Sequence, residues 1–386
     1  MKQNLYLIIG AGLSGLAAAM KIEKHGGSSV LIDAADTIGG KLKTELFEDN
    51  YLLDHGFQVL LPAYAELQKN IDLKALNLKY FKSGALIFNG TNKMRISDPL
   101  QDPSLLFETL FSSVGHVKDK WLIAKLRLSV LMTSDQKLLS QNLGTSVDFL
   151  RQFGFSDQMI ENFWRPFFSG IFLESELQTE ASFLKFLFKM FSQSPVAVPA
   201  EGIAELPKWM HAQLKSTDVL LNSRVSARSE KSITLETGKV LNGIVIDARP
   251  VETAKWGHVT TLYFSSPKSP IQGSWLFLNK RQTNSLVNHV AVMTEVSKSY
   301  SRNGNALISV NILRPQISSA EFAHVLTELQ VFFGEEVRSW KFLKSFEIPH
   351  ALPLYLSSQV QSAIRITPSQ QGALQRGHQL ALDASI

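Results

Sequence analysis

An apolar run that ends in glycines constrains this chain more than any other feature. Leu5-Tyr6-Leu7-Ile8-Ile9 is bulky throughout, as a strand covered on both faces must be. Gly10-Ala11-Gly12-Leu13-Ser14-Gly15 follows at once, a G-x-G-x-x-G spacing, and Leu16-Ala17-Ala18-Ala19-Met20-Lys21-Ile22 continues in good helix formers. Gly26-Gly27 ends that helix, Val30-Leu31-Ile32 reads as a second buried strand, and Asp33 closes it. Each part has a job in a βαβ nucleotide-binding unit. Gly10 permits the turn out of the strand, Gly12 lets backbone approach a pyrophosphate, and Gly15 lets helix and strand pack closely. Ala11, Leu13 and Ser14 carry the backbone between them, where the start of the helix offers N–H groups and partial positive charge to phosphate. Asp33 can accept hydrogen bonds from ribose hydroxyls and disfavours a 2′-phosphate, so NADP is not expected here. A bare glycine motif also fits an empty turn. Strand, glycines, helix, strand and acid in register favour a bound dinucleotide.

The rest of the composition sets bounds. At 386 residues the chain exceeds what one core usually serves, so two domains are expected. A net charge of +5 is too weak for a nucleic-acid partner but leaves room for attraction to anionic lipid. The absence of cysteine excludes disulfides, thiolate zinc sites and a catalytic thiol, and suits a cytoplasmic setting. The first strand begins within a few residues of Met1, so no secretory leader is expected, and no apolar stretch predicts a membrane-spanning helix. No H-E-x-x-H, G-x-S-x-G or G-x-x-x-x-G-K-[ST] occurs, and the histidines, His55 and His350 among them, lack ligand spacing. No metal is expected, and no catalytic acid or base can be assigned.

The residues after Asp33 separate the candidate dinucleotides. Asp33-Ala34-Ala35-Asp36-Thr37-Ile38-Gly39-Gly40-Lys41 resembles the extended fingerprint of the flavin amine oxidase superfamily, which includes phytoene desaturases and protoporphyrinogen oxidases. Lys41 stands where that superfamily usually has Arg, a point charge in place of a planar fork. Thr44 matches a frequent family Thr, and Asp54-His55-Gly56-Phe57-Gln58 is similar to its D-x-G-x-Q/H segment beside the flavin. Further on, Pro199-Ala200-Glu201-Gly202-Ile203 resembles a P-x-G-G-M/I element that opens a helix over 203–215. The stretch Val219 to Val225 resembles the strand whose valine backbone meets adenine, and Ala248 and Pro250 resemble the close of the hairpin that follows. The resemblance implies FAD. Gly10, Ala11, Gly12, Leu13, Ser14, Gly15, Asp33 and Ala34 would hold its ADP half, and Val225 would seat the adenine. Gly39, Gly40 and Lys41 would support the pyrophosphate and ribityl part, and Gly56, Phe57 and Gln58 would approach the flavin.

The fold so implied is α/β. A Rossmann-type FAD/NAD(P)-binding domain, with a parallel sheet and crossover β-meander, would take residues 1–80, 199–255 and 345–386. An α+β substrate domain, with an antiparallel sheet and a helical insertion, would take 81–198 and 256–344. Pro99 and Pro103 lead into helical spacing over Ser104 to Phe111 and Val117 to Met132. The second stretch carries Lys118, Lys120, Lys125 and Arg127, a solvated basic face or a peripheral membrane contact. Residues 153–191 hold ten of the 24 phenylalanines, and Ala181 to Phe191 is apolar around most of a helix. These rings read mostly as core. Some would line an apolar tunnel, which tilts the substrate toward a small apolar molecule. Strands are expected at Val259 to Phe264, Ser274 to Leu278, Val287 to Thr294 and Ala306 to Leu313, then a helix from Ser319 to Phe333. Pro349 and Pro353 read as the return to the cofactor domain.

The tail is the one poor match. Superfamily members place a Gly-Asp pair before a small-residue helix that faces the flavin, and Arg376-Gly377-His378 reads as that pair without its acid. On that alignment the helix would begin where the chain stops, as in a truncated or inactive relative. The function implied is FAD-dependent hydride abstraction from a C–N or C–C bond. A non-redox binding protein like the GDP-dissociation inhibitors of prenylated GTPases, or a flavin isomerase, remains the alternative.

Overall fold

The computed structural model describes residues 5–88, 90–97, 114–250, 255–280, 285–354 and 370–384. The expected helix at Ser104 to Phe111, with Pro99 and Pro103, lies outside them. β1 (Leu5–Ile9), α1 (Leu13–Lys24) and β2 (Ser28–Ile32) form the expected opening unit. β1 lies between β2 and the strand Ile244–Asp247, and Thr217–Leu220 pairs with the far side of β2. All four strands are parallel. Leu16, Ala17, Ala18, Ala19 and Ile22 of α1 are fully buried, and each large aliphatic side chain so covered stabilises the fold by about 2 kcal/mol. Val225–Arg228, Ser232–Leu235 and Val240–Asn242 form the antiparallel meander. Gly243 separates Val240–Asn242 from Ile244–Asp247, and a Cβ there would press to 2.6 Å from Leu5 O. The backbone therefore passes directly from the meander to the flank of β1.

A second sheet has seven strands. In spatial order they are Lys341–Pro353, Trp256–Ser266, Ala306–Ile312, Val287–Val292, Leu276–Asn279, Gly84–Phe88 and Lys93–Ser97. Every neighbouring pair is antiparallel except Leu276–Asn279 with Gly84–Phe88. Period-two alternation sorts the central strand Ala306–Ile312. Ala306, Ile308, Val310 and Ile312 join the face covered by Val325, Leu329, Phe332 and Phe333 of the helix Ser319–Phe333. The opposite face mixes buried polar groups, Thr261, Tyr263, His289, Ser309 and Asn311, with the apolar Ala291 and Leu307. Thr261 Oγ1 donates to Asn311 Oδ1 at 2.6 Å, and Asn311 Nδ2 donates to Ser309 Oγ at 3.1 Å. Pro349 lies within the strand Lys341–Pro353 and Pro353 ends it. That strand is an edge, and an edge tolerates residues that cannot donate to a ladder.

The phenylalanine-rich stretch folds as helices Arg165–Phe172 and Ala181–Gln193 and their neighbours. Trp164, Phe168, Phe172, Phe183 and Phe186 are buried and stack on one another, with ring centroids between 5.2 and 6.4 Å for successive pairs. These rings are core. Phe163, Phe167 and Phe191 are only half-buried at its margin.

The tail corrects the sequence reading. Gln370–Asp383 is itself a helix, and Arg376-Gly377-His378 lies within it. Gly377 packs directly on α1: a Cβ there would overlap Ser14 O and come within 2.7 Å of Ala17 Cβ. Gly372, Leu374 and Ala381 are buried with it. Gln370–Asp383 therefore packs against α1 through Gly377.

Candidate cofactor site

The glycine elbow is held open by its own backbone. Gly10 N donates to Ile32 O at 2.7 Å, tying the end of β1 to the end of β2. A Cβ on Gly15 would overlap Gly10 O and reach 3.2 Å from Leu31 Cδ2, so only glycine lets α1 cross this close. A Cβ on Gly12 would meet Gly40 Cα at 3.8 Å and otherwise open space among the described residues. Leu13 begins α1 with no side-chain cap at Gly12 and no acid in the first turn. The positive end of the helix thus faces outward beside Gly12 and Ser14, the arrangement that suits a phosphate.

Asp33 organises the far side of the elbow. Its Oδ2 accepts from Ala11 N at 2.7 Å and its Oδ1 from Ala35 N at 2.8 Å. Each oxygen keeps lone-pair capacity for a hydroxyl. Ser223 N donates to Asp33 O at 2.8 Å, and Asn222 N donates to Ala35 O at 2.8 Å. A cleft of about 250 Å³ opens here, lined by Ala34, Asn222, Ser223, Arg224, Leu235, Glu236 and Thr237. Val225 adjoins the cleft but pairs with Leu235 in the meander and does not line it.

The Gly39-Gly40 pair reaches back to the elbow. Gly39 N donates to Ala11 O at 2.8 Å, and Gly39 has φ +103°, a conformation that favours glycine. Gly40 passes so near Gly12 that a Cβ would lie 3.1 Å from Gly12 Cα. Lys41 turns away. Its Nζ donates to His350 O at 2.6 Å and Ala351 O at 3.1 Å and lies 4.0 Å from the centre of the Trp256 ring. The residue is exposed, yet its amine has lost hydration against these groups, which pushes its pKa down to about 8. The pyrophosphate role expected of Lys41 is not one this rotamer serves. The cation beside the elbow is Arg249, whose Cγ lies 3.6 Å from where a Gly10 Cβ would sit. Its guanidinium is held by Asp247, with Nε to Oδ1 at 2.9 Å and Nη2 to Oδ2 at 2.7 Å. Arg376 Nη2 donates to Arg249 O at 2.6 Å, so the C-terminal helix also braces this corner.

The flavin-side segment is anchored by a buried acid. Asp54 Oδ1 accepts from Thr44 Oγ1 at 2.5 Å and from Ile203 N at 3.0 Å, and Oδ2 accepts from Tyr300 Oη at 2.7 Å. Tyr263 Oη donates to Asp54 O at 2.9 Å. Burial raises the Asp54 pKa to about 6 against the lowering effect of those three donors. The carboxylate ties the hairpin Thr44–Phe47/Tyr51–Asp54 to the Gly202-Ile203 turn and to Tyr300, while the backbone carbonyl of Asp54 meets the seven-stranded sheet at Tyr263. Just past it, Gly56 leaves room for Ile348, whose Cδ1 would lie 2.6 Å from a Cβ. Phe57 meets the His289 ring edge-on with centroids 4.8 Å apart, and Gln58 Nε2 donates to Lys41 O at 2.9 Å. His289 is fully buried and its Nε2 has no partner among the described residues; burial pushes its pKa down to about 3, so the ring is neutral. Helix Arg165–Phe172 closes on the same place, where a Gly170 Cβ would approach Asn288 Oδ1 to 2.6 Å.

A Rossmann elbow with an acid-closed second strand and a cleft beyond it belongs to proteins that hold an ADP-containing cofactor. Comparison with known proteins narrows the class. The sequence profile of the flavin containing amine oxidoreductase family matches residues 13–251, more than half of the 386, and the chain belongs to that family. It is similar to 15-cis-phytoene desaturase of Capsicum annuum, with 23% identity over 273 residues that cover 64% of this chain and 47% of the desaturase. It is also similar to protoporphyrinogen oxidase 2 of Arabidopsis thaliana, with 26% identity over 168 residues, 42% of this chain and 31% of that protein. The matched region thus spans less than half the length of either relative. A solved putrescine oxidase bound to putrescine shares the fold, with a TM-score of 0.70 and 16% identity over 99% of this chain and 98% of that one. FAD, the cofactor of the family, is the dinucleotide this elbow fits: the open space at Gly12, the acid and the cleft stand where pyrophosphate, ribose and adenine would follow one another.

Proposed function

We propose that the chain is an FAD-dependent oxidoreductase that removes a hydride equivalent from a C–N or C–C bond of a small molecule. The carrying observation is the continuous path from Gly12 past Asp33 to the cleft at Ala34. The parallel sheet with its meander serves as the cofactor unit, and the seven-stranded sheet with the helices around Arg165–Phe172 and Ala181–Gln193 serves as the substrate unit. In this reading the N–H groups at Leu13 and Ser14 and the end of α1 bind the pyrophosphate, while Asp33 orients the ribose. Gly39 and Gly40 keep the elbow closed over it, and Val225 fixes the meander next to the adenine.

Bound FAD supplies the two-electron acceptor. The protein's contribution is orientation and exclusion of water. Asp54 holds the Gly56-Phe57-Gln58 segment in place, and Phe57 meets the ring of His289 from the seven-stranded sheet edge-on. The reacting part of the substrate enters there, among Phe57, the half-buried Phe163 and Phe167, and the helix Arg165–Phe172. These rings support an apolar reacting part. His289, neutral and with a bare ring nitrogen, orients a polar atom of the substrate without exchanging a proton.

Purified protein dialysed after loading with FAD tests the reading. Retained yellow colour that bleaches anaerobically on adding an oxidisable amine or an unsaturated hydrocarbon precursor supports it. Retention of colour with no bleaching by any donor of either class leaves a binding protein, and no retention removes the cofactor from the account.

A further inference from the structure

Twelve large apolar side chains are exposed among the described residues, and five sit on or beside one helix: Val117, Trp121, Leu128, Leu131 and Met132. The helix is Val117–Leu131, and its inner face, Asp119, Leu122, Leu126 and Val130, is already buried in the core. The outward residues are strongly exposed, Val117 at 77%, Trp121 at 63%, Leu128 at 61% and Met132 at 80%. Helical geometry advances about 100° per residue, which gathers these five with Ala124 into an arc of roughly 100° opposite the core face. Lys118 and Lys125 border that arc on one side, and Lys120 and Arg127 border it on the other. The helix's one acid, Asp119, faces inward, where its carboxylate accepts from His116 N at 2.8 Å and from Ser156 N at 2.8 Å and Oγ at 2.7 Å. The outer side therefore shows apolar groups framed by cations and no carboxylate of its own. Lys125 Nζ lies over the Trp121 ring, 5.6 Å from its centre, and 5.4 Å from the centre of the Phe153 ring.

We infer that this face docks on an anionic lipid surface, with the helix lying in the plane of the interface. Charge complementarity selects the occupant. An apolar strip rimmed by lysines sinks into the acyl boundary while the lysine stems reach up to lipid phosphates, and a tryptophan sits where ring and headgroup layers meet. No helix among the described residues is long and apolar enough to cross a membrane, so the contact is peripheral. The inference does not depend on the cofactor reading, and its test reads lipid binding alone.

The full chain is sedimented with pure phosphatidylcholine vesicles and with mixed phosphatidylcholine–phosphatidylserine vesicles. Partitioning to the mixed vesicles that falls with added salt is expected, with a blue shift of tryptophan emission that Trp121→Phe abolishes. Lys118→Gln with Lys125→Gln should weaken partitioning roughly twenty-five-fold, about fivefold per lysine. Trp121→Ser with Leu128→Ser should weaken it by roughly a hundredfold. Both variants should melt like the wild type, because the altered side chains face outward. Failure of the wild type to sediment with the mixed vesicles overturns the inference, as does equal sedimentation by both variants. A lipid-free dimer that Leu128→Ser dissolves also overturns it, by giving the face to a second copy of the chain.

Discussion

Asp54→Asn isolates the buried acid that joins the hairpin Thr44–Phe47/Tyr51–Asp54 to Ile203 and Tyr300. In the folded protein the carboxyl holds its proton up to a pH of about 6, against an ordinary value of 3.8. Between those values the folded state binds more protons than the unfolded one, so Asp54 subtracts stability as pH rises through the window. About two units at about 1.4 kcal/mol each come to roughly 3 kcal/mol, present as a cost above pH 6 and absent below pH 4. Asparagine keeps the shape and the acceptor that Thr44 Oγ1 and Ile203 N use, and turns its amide toward Tyr300 Oη. Urea unfolding of both proteins, followed by tryptophan fluorescence from pH 4 to pH 7, reads the difference. The difference in unfolding free energy between the two should move by about 3 kcal/mol in favour of Asp54→Asn as pH rises, whatever its value at pH 4. Curves that stay parallel, or that diverge in the opposite sense, refute the reasoning.

Further outcomes follow from the same contacts. Asp33→Ala should weaken FAD binding roughly tenfold to a hundredfold, since it removes the ribose acceptor and frees Ala11 N and Ala35 N, and calorimetric titration measures it. Gly377→Val should lower stability by about 3 kcal/mol or more by forcing the C-terminal helix off α1; a melting temperature equal to the wild type would contradict that docking. Lys41 should titrate near pH 8 in spectra of the carbon-13 methylated protein, and Trp256→Ala should return it toward 10.5. Tyr300→Phe removes a donor that favours the ionised carboxylate, so the Asp54 window should shift to higher pH on the same unfolding curves.

Local pattern made the elbow legible, because every part of it is close in sequence and each glycine has a steric reason. The strands and helices of the seven-stranded region were legible for the same reason: alternation and helical spacing report burial directly. Four features were not. Arg376-Gly377-His378 reads in sequence as a Gly-Asp pair without its acid; Gly372 and Gly377 are poor helix formers, and only contact with Ser14 and Ala17 shows that close packing outweighs propensity there. The setting of Lys41 comes from Trp256 and from carbonyls of an edge strand some three hundred residues away. The Asp54 knot joins Thr44, Ile203 and Tyr300, and no spacing announces such a set. Arg249 lacked a motif too, although it follows the hairpin that was recognised. Pro349 and Pro353 are tolerated in Lys341–Pro353 because, among the described residues, no strand pairs beyond that edge.

Equilibrium titration of the cofactor-free protein with FAD tests the central claim most directly. The expected result is saturable binding at one FAD per chain, competed by ADP and weakened by Asp33→Ala while the fold is unchanged by circular dichroism. A cooperatively folded protein that takes up no FAD, or that binds it equally well without the Asp33 carboxylate, would contradict the account.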